Sequence, residues 1–308
     1  MRELLSLLSS LPILTKALDD SKKIVASPPS FPFLIALRSQ ESPILVVTSS
    51  SRGAEDLAAE LRELHESVYE FPAWETLPHE RLSPRSDTVA RRIATLTSLR
   101  ENQFNDKVIV VAPVRALIHR FISTLASTPL RELKVGSEFE LSELVQHLTE
   151  LAYTRTDLVE KRGEFAVRGG ILDLFLPLSA HPIRIDFFGD EIEDLSYFEV
   201  SSQRTTGAVI ESISILPCRE LLLTADIKKK AGLLKDKYPA AKEIFGRMEE
   251  GIITDGMESL LSLIVDQTDS ILERMPKSTE VIFLDEERIK SRTADLLATN
   301  EEFLAASW

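Results

Sequence analysis

The stretch RGEFAVRGGILDLFLPLSAHPIRIDFFGDEIEDLSYFEVSSQRT, Arg162 to Thr205, decides how the middle of the chain folds. Its apolar residues recur every second position, the period of a strand with one buried face. In EFAVRG that alternation puts Phe165 and Val167 on one face and Ala166 and Arg168 on the other. Gly169-Gly170 permits a tight turn or a bulge, so ILDLF can run back along the first strand. In PIRIDFFGDEIEDL, Ile183, Ile185 and Phe187 share the core face, and Arg184, Asp186 and Phe188 share the outward one. Gly189-Asp190 is the next turn. The outward face thus carries Arg184 and Phe188 in a row, with Arg168 on a neighbouring strand. An exposed ring flanked by arginines is the composition of an interface anchor. Two plain alternatives stay open: Phe188 packs beneath a helix, and the arginines pair with Asp186 or Glu164.

Outward from this stretch, the β pattern continues through AVIESISILP, and a helix from about Leu141 to Ala152 precedes it, with Ser142 or a neighbour as its N-cap. These short runs predict a small α+β domain, one helix on a largely antiparallel sheet, at about 129–216. Residues 1–128 read differently. ILVV (Ile44 to Val47) and VIVVAP (Val108 to Pro113) are continuous apolar runs suited to central parallel strands. Between them, AEDLAAELREL places Leu57, Leu61 and Leu64 at helical spacing, with Ala58 beside them. DTVARRIATLTSL does the same with Val89, Ile93, Leu96 and Leu99. After 216, helical segments return, and EVIFLDEERIK reads as strand, turn and helix. The expected architecture is therefore an α/β parallel-sheet domain split in sequence, 1–128 and 217–308, with the small domain inserted. The closing EEFLAASW has no helix-exit signal, so 217–308 is expected to be truncated at its C-terminal end, as part of a longer chain.

Composition narrows the function classes. The chain has 308 residues, a net charge of −13 from 49 acidic and 36 basic residues, and a single cysteine, Cys218. A surface so acidic repels phosphate backbones, which argues against non-specific DNA binding by this piece. One cysteine excludes an internal disulfide framework and fits a reducing cytoplasm. No apolar run reaches the length of a membrane span. MRELLSLLSSLPILTKAL at the start reads as an amphipathic helix, since Pro12 breaks its apolar run and no cleavage site follows closely.

Nucleotide hydrolysis needs a Gly-rich loop and a lysine to cradle phosphates, and no Gly-Lys pair occurs in the sequence. The loop after the first strong strand, TSSSRG, has no such lysine. VIFLDEER (Val281 to Arg288) imitates a Mg²⁺-holding strand end, but without a partner phosphate loop a strand followed by a helix with an acidic first turn is the better account. The histidines at 65, 79, 119, 147 and 181 are scattered, and no catalytic or metal-ligand set is apparent.

The central stretch resembles the segment shared by the bacterial transcription-repair coupling factors and the excision-repair protein UvrB. The strings that carry the resemblance are RGEFAVRGGILDLF, IRIDFFGDEIEDL and SQRT. WETLPHERLSPRSDTVARRIATL (Trp74 to Leu96) and VIVVAPVRAL resemble the same family, and order and spacing match over about 70–216. UvrB-like proteins keep a phosphate loop and an aromatic-rich DNA-inserting hairpin. Their absence here favours the coupling factor, in which the parallel-sheet domain is a degenerate helicase-like one. The resemblance implies that the inserted domain docks on the damage-recognition ATPase UvrA through Arg168, Arg184 and Phe188, with Arg162 and Arg204 as weaker candidates. The implied contacts are charge-assisted hydrogen bonds from the arginines to acidic groups around a buried ring. It further implies that the whole protein binds RNA polymerase and double-stranded DNA through other domains, and that ATP and Mg²⁺ belong to a translocase motor there. This piece would have no cofactor and no ATPase, and another domain can cover its docking surface. Alanine at the three main positions is expected to leave the fold intact and to weaken UvrA binding by several kcal/mol. The rivals are a UvrB-type ATPase or helicase fragment acting on DNA, and a purely structural brace.

Overall fold

The computed structural model describes residues 22–77, 80–101, 107–127 and 130–307, and positions 8, 10, 11, 16 and 18 before them. The helix expected over 1–18 falls mostly outside this set, as does His79. The chain forms two compact units, the first drawn from 1–73, 95–120 and 269–307, the second from 74–94 and 121–268.

The first unit is built on a parallel sheet. Its strands lie in the order Glu280–Phe283, Ile44–Thr48, Ile109–Pro113 and Val68–Glu70. Every adjacent pair is parallel, with Ile44 opposite both Glu280 and Ile109. The two central strands are buried at every position, on both faces, which is why they read as unbroken apolar runs rather than alternating ones. Helix Ser51–Arg62 covers the sheet with Ala54, Leu57, Ala58 and Leu61, all buried. It starts where Ser50 Oγ accepts the Gly53 N–H at 3.2 Å, so a serine of the TSSSRG loop serves as a helix cap. Helix Ser86–Glu101, whose residues up to Ala94 are counted with the second unit, buries Val89, Ile93, Leu96 and Leu99, as their spacing predicts. The strand at 280–283 is fastened by its first residue. Glu280 takes both Nε–H and Nη2–H of Arg38 at 2.7 Å and the Ser42 hydroxyl at 2.8 Å.

The second unit holds a six-stranded sheet. In spatial order its strands are Thr205–Val209, Glu191–Phe198, Ile183–Phe188, Ile171–Leu174, Glu164–Arg168 and Thr154–Arg155. All neighbours are antiparallel except the last pair. Both expected two-residue turns form, Gly169-Gly170 and Gly189-Asp190, and the leading glycine of each is left-handed, at φ 62° and 65°. That conformation is accessible to glycine at little cost. One face of the sheet and helix Leu141–Glu150 enclose a core of Phe165, Leu172, Leu174, Ile183 and Ile185 with Leu144 and Leu148. The helix begins at Glu140, which makes no side-chain cap. Of the expected N-caps, Ser142 or a neighbour, it is the neighbour Glu140 that stands at the cap position, and Ser142 hydrogen-bonds the Glu140 carboxylate from inside the first turn.

A second, smaller ladder pairs Arg131–Lys134 with Ser212–Ile215. Helices Ala225–Leu234 and Lys242–Glu249 and the turns at 257–264 form a further cluster in this unit, around Phe245, Met248, Met257 and Leu260.

Trp74 to Arg92 is an internal clasp of the second unit. Arg92, wholly buried, donates through Nε to Glu220 Oε1 at 2.5 Å, and Trp74 Nε1 donates to the same oxygen at 2.9 Å. Ser83 donates to Glu258 at 2.5 Å and accepts the Gly256 N–H at 3.0 Å. Trp74, Ser83 and Arg92 of this segment therefore spend their polar groups on holding the fold.

Candidate docking face

The sheet of the second unit has two faces of opposite character, set by strand alternation. Registry aligns Phe165, Leu174 and Ile183 across three strands, and one residue further along aligns Ala166, Asp173 and Arg184. The first row is core. The second belongs to the other face, together with Arg168, Ile171, Asp186 and Phe188. This face is graded along its length. Toward one end Val159, Phe175 and Phe198 form a small buried cluster with Ala166, which stands in the Asp173–Arg184 row. Arg184 and Asp173 occupy the middle. Arg168, Ile171, Asp186 and Phe188 occupy the far end, beside the two glycine turns.

Phe188 is 76% exposed, so it does not pack beneath a helix. Leaving a ring of that size in water forgoes about 1.5–3 kcal/mol of burial. A cross-strand neighbour, Glu191, is itself exposed. Arg168 is exposed and hydrogen-bonds the Asp157 carbonyl. It lies two strands from Asp186 in one row, with Ile171 between them, so its strand is not the immediate neighbour that the sequence suggested, because 171–174 pairs between the two.

Arg184 is different. It is only 19% exposed in its side chain, and its partner is neither Asp186 nor Glu164. The Asp173 carboxylate, directly opposite on the adjoining strand, accepts Nε–H at 2.7 Å and Nη2–H at 2.9 Å. This bond to Asp173 is the main reason the guanidinium is held more basic than usual. The Phe198 ring lies 5.0 Å from the guanidinium carbon, a cation–π distance. Nη1 donates to the Gln203 carbonyl at 3.3 Å. Glu164 serves the backbone instead, accepting from the N–H groups of Glu160 and Lys161.

Asp186 faces Asp194 across the strand pair, and like charges so placed are destabilising. Partial burial, then Asp194, Asp173 and Glu193, push the Asp186 carboxyl above the ordinary carboxylate range, against the opposing pull of Arg184.

The two weaker candidates lie apart from this row. Arg162 is exposed, donates to the Ser179 carbonyl at 3.1 Å and stands 5.4 Å from the Phe175 ring. Arg204 is exposed in the turn after 191–198, where its carbonyl accepts from Glu199 N–H at 3.0 Å. Asp173, Phe198 and Gln203 are residues of the site that sequence reading missed. Asp173 carried a signal, as the one carboxylate inside the apolar strand ILDL, where a charge needs a partner.

The other candidate chemistry resolves into local structure. Asp285 accepts the Arg288 N–H at 3.3 Å, and Glu286 pairs with Lys290 at 2.7 Å. VIFLDEER is thus a strand followed by a capped helix with an acidic first turn. Among the described residues no group of three His, Cys, Asp or Glu is placed to hold a metal ion, and no helix is long and apolar enough to cross a membrane.

Residues 132–221 match the model of the UvrB interaction domain. Over 284 residues, 87% of this chain, the sequence is 42% identical to a transcription-repair-coupling factor of Mycobacterium bovis, covering 23% of that protein. The corresponding protein of Myxococcus xanthus is 33% identical over 83% of this chain and 23% of its own length. That of Escherichia coli is 31% identical over 70% and 19%. The chain thus spans about a quarter of the length of the curated relatives it matches. Residues 132–221 belong to the UvrB interaction domain family, set in a chain related along most of its length to the transcription-repair-coupling factors.

Proposed function

We propose that this chain is the UvrA-recruiting module of a transcription-repair coupling factor, and that the outward face of the 164–198 strands is the surface that docks. The observation that carries the proposal is Phe188, a large ring left 76% exposed on a regular strand, with Arg168 and Arg184 on the same face. Interface hot spots are built from such aromatic and arginine anchors. The match of residues 132–221 to the UvrB interaction domain supports it independently. On this proposal the module has no nucleotide chemistry of its own. RNA polymerase and double-stranded DNA engage other parts of the full-length protein, whose motor uses ATP and Mg²⁺. The module works in the cytoplasm, and another domain of the same chain can cover its surface.

The test is a binding titration of purified UvrA against the parent, Arg168→Ala and Phe188→Ala. Both positions are exposed, so the fold is not at stake. A loss of affinity of tenfold or more in each is expected. Parent-like binding by both would end the docking assignment in favour of a brace. An ATP titration separates the enzymatic rival, which requires saturable nucleotide binding by this chain alone.

A further inference from the structure

We infer that Asp173 is the positioning residue of this face, holding the Arg184 guanidinium in the one orientation that suits docking. The inference rests on the docking proposal and extends it to a residue that does not itself reach the partner.

Asp173 is 3% exposed, so its carboxylate is out of a partner's reach. It takes two guanidinium N–H groups side by side, at 2.7 and 2.9 Å, a fork geometry that fixes the guanidinium plane. The Phe198 ring at 5.0 Å backs the group. The Gln203 carbonyl, from a residue held in left-handed backbone at φ 57°, takes Nη1–H at 3.3 Å. The Gln203 side chain is itself tied to the Val200 carbonyl at 2.8 Å. A free arginine loses rotamer freedom when a partner fixes it; here folding has already fixed the side chain.

The same contacts say what chemistry remains. A guanidinium has five N–H donors, and three are committed, which leaves one on each Nη. The positive charge is already balanced by Asp173. The remaining pair therefore suits a neutral oxygen acceptor on the partner, such as a backbone or amide carbonyl. A carboxylate there would meet the field of Asp173 and Asp186. Arg184 is thus a directional donor, and Arg168 is the residue of the two whose charge no carboxylate in the described structure offsets.

The experiment measures UvrA affinity for the parent, Asp173→Asn, Arg184→Ala and the double variant, at low and high salt, with folding checked by near-ultraviolet circular dichroism. Asparagine offers one acceptor and one unwanted donor to the fork, so it releases the guanidinium without changing side-chain size. Asp173→Asn is expected to weaken binding about tenfold, and the double variant to bind no worse than Arg184→Ala, because both act through one group. The Arg184→Ala factor should be equal at both salt concentrations, as befits a neutral acceptor. Parent-like binding by folded Asp173→Asn beside a weakened Arg184→Ala overturns the inference. So does additivity in the double variant, a factor that collapses with salt, or parent-like binding by Arg184→Ala. The docking proposal is judged separately, by Phe188→Ala. Should Asp173→Asn fail to fold, exchange of the Arg184 Nε–H in the parent decides. Slow exchange that UvrA leaves unchanged supports prior fixing by Asp173, and exchange as fast as in an exposed arginine refutes it.

Discussion

Arg92 and Glu220, 128 residues apart in sequence, meet at 2.5 Å with both side chains wholly out of solvent. Glu220 also accepts from Trp74, and the Phe121 ring lies 5.8 Å from the Arg92 guanidinium. One carboxylate thereby ties the start of the second unit's first segment, the middle of a helix and the end of the sheet region. Removing one member of such a pair strands the other charge in a low-dielectric interior. Glu220→Ala should destabilise the second unit by about 3–5 kcal/mol. Chemical denaturation followed by tryptophan fluorescence measures it, and a loss under about 1 kcal/mol would contradict a buried pair.

Phe188 and Arg184 should separate cleanly in stability. Phe188→Ala removes a ring that is already in water, so the unfolding free energy should change by no more than about 0.5 kcal/mol. Arg184→Ala leaves the Asp173 carboxylate buried without its fork and should cost about 1.5–3 kcal/mol. Of the three alanine changes, Arg184→Ala is thus the one expected to lower stability while the fold is kept. Thermal melts of the two single variants check this, and equal melting temperatures would refute it.

The Asp186–Asp194 pair gives a pH signature. The Asp186 carboxyl titrates above the ordinary carboxylate range in the folded chain, through partial burial and its acidic neighbours. The folded state then holds a proton that the unfolded state has released. Stability falls as pH rises from the ordinary carboxylate value through the raised one, and levels off above it. Asp186→Asn should therefore be more stable than the parent at neutral pH, and the gain should shrink as pH is lowered through that window. Denaturation midpoints of both proteins against pH test the sign. A gain that grows toward acid would show the carboxyl to be stabilised as the anion.

Cys218 should be inert while the chain is folded. Burial pushes its thiol up to about 12, with the Tyr153 hydroxyl and Arg219 pulling weakly the other way. Only the thiolate reacts at a useful rate. A thiol reagent at neutral pH should label Cys218 no faster than the second unit opens, and urea should raise the rate sharply. Prompt stoichiometric labelling in native buffer would show an accessible sulfur.

Sequence alone determined which residues share a face. Ile183, Ile185 and Phe187 are inside, and Arg184, Asp186 and Phe188 are on the other side, because strand alternation is a local property of the backbone. Apolar runs announced the parallel strands, and Gly169 and Gly189 announced their turns. Pairing was decided only in three dimensions. The 175–182 connection leaves the offset of 171–174 against 183–188 open, and only the packed sheet sets Asp173 opposite Arg184. Likewise Arg92, Trp74 and Glu220 carry no local mark of their meeting. A buried charge chooses its partner by the geometry of the closed chain, which no spacing along the sequence encodes.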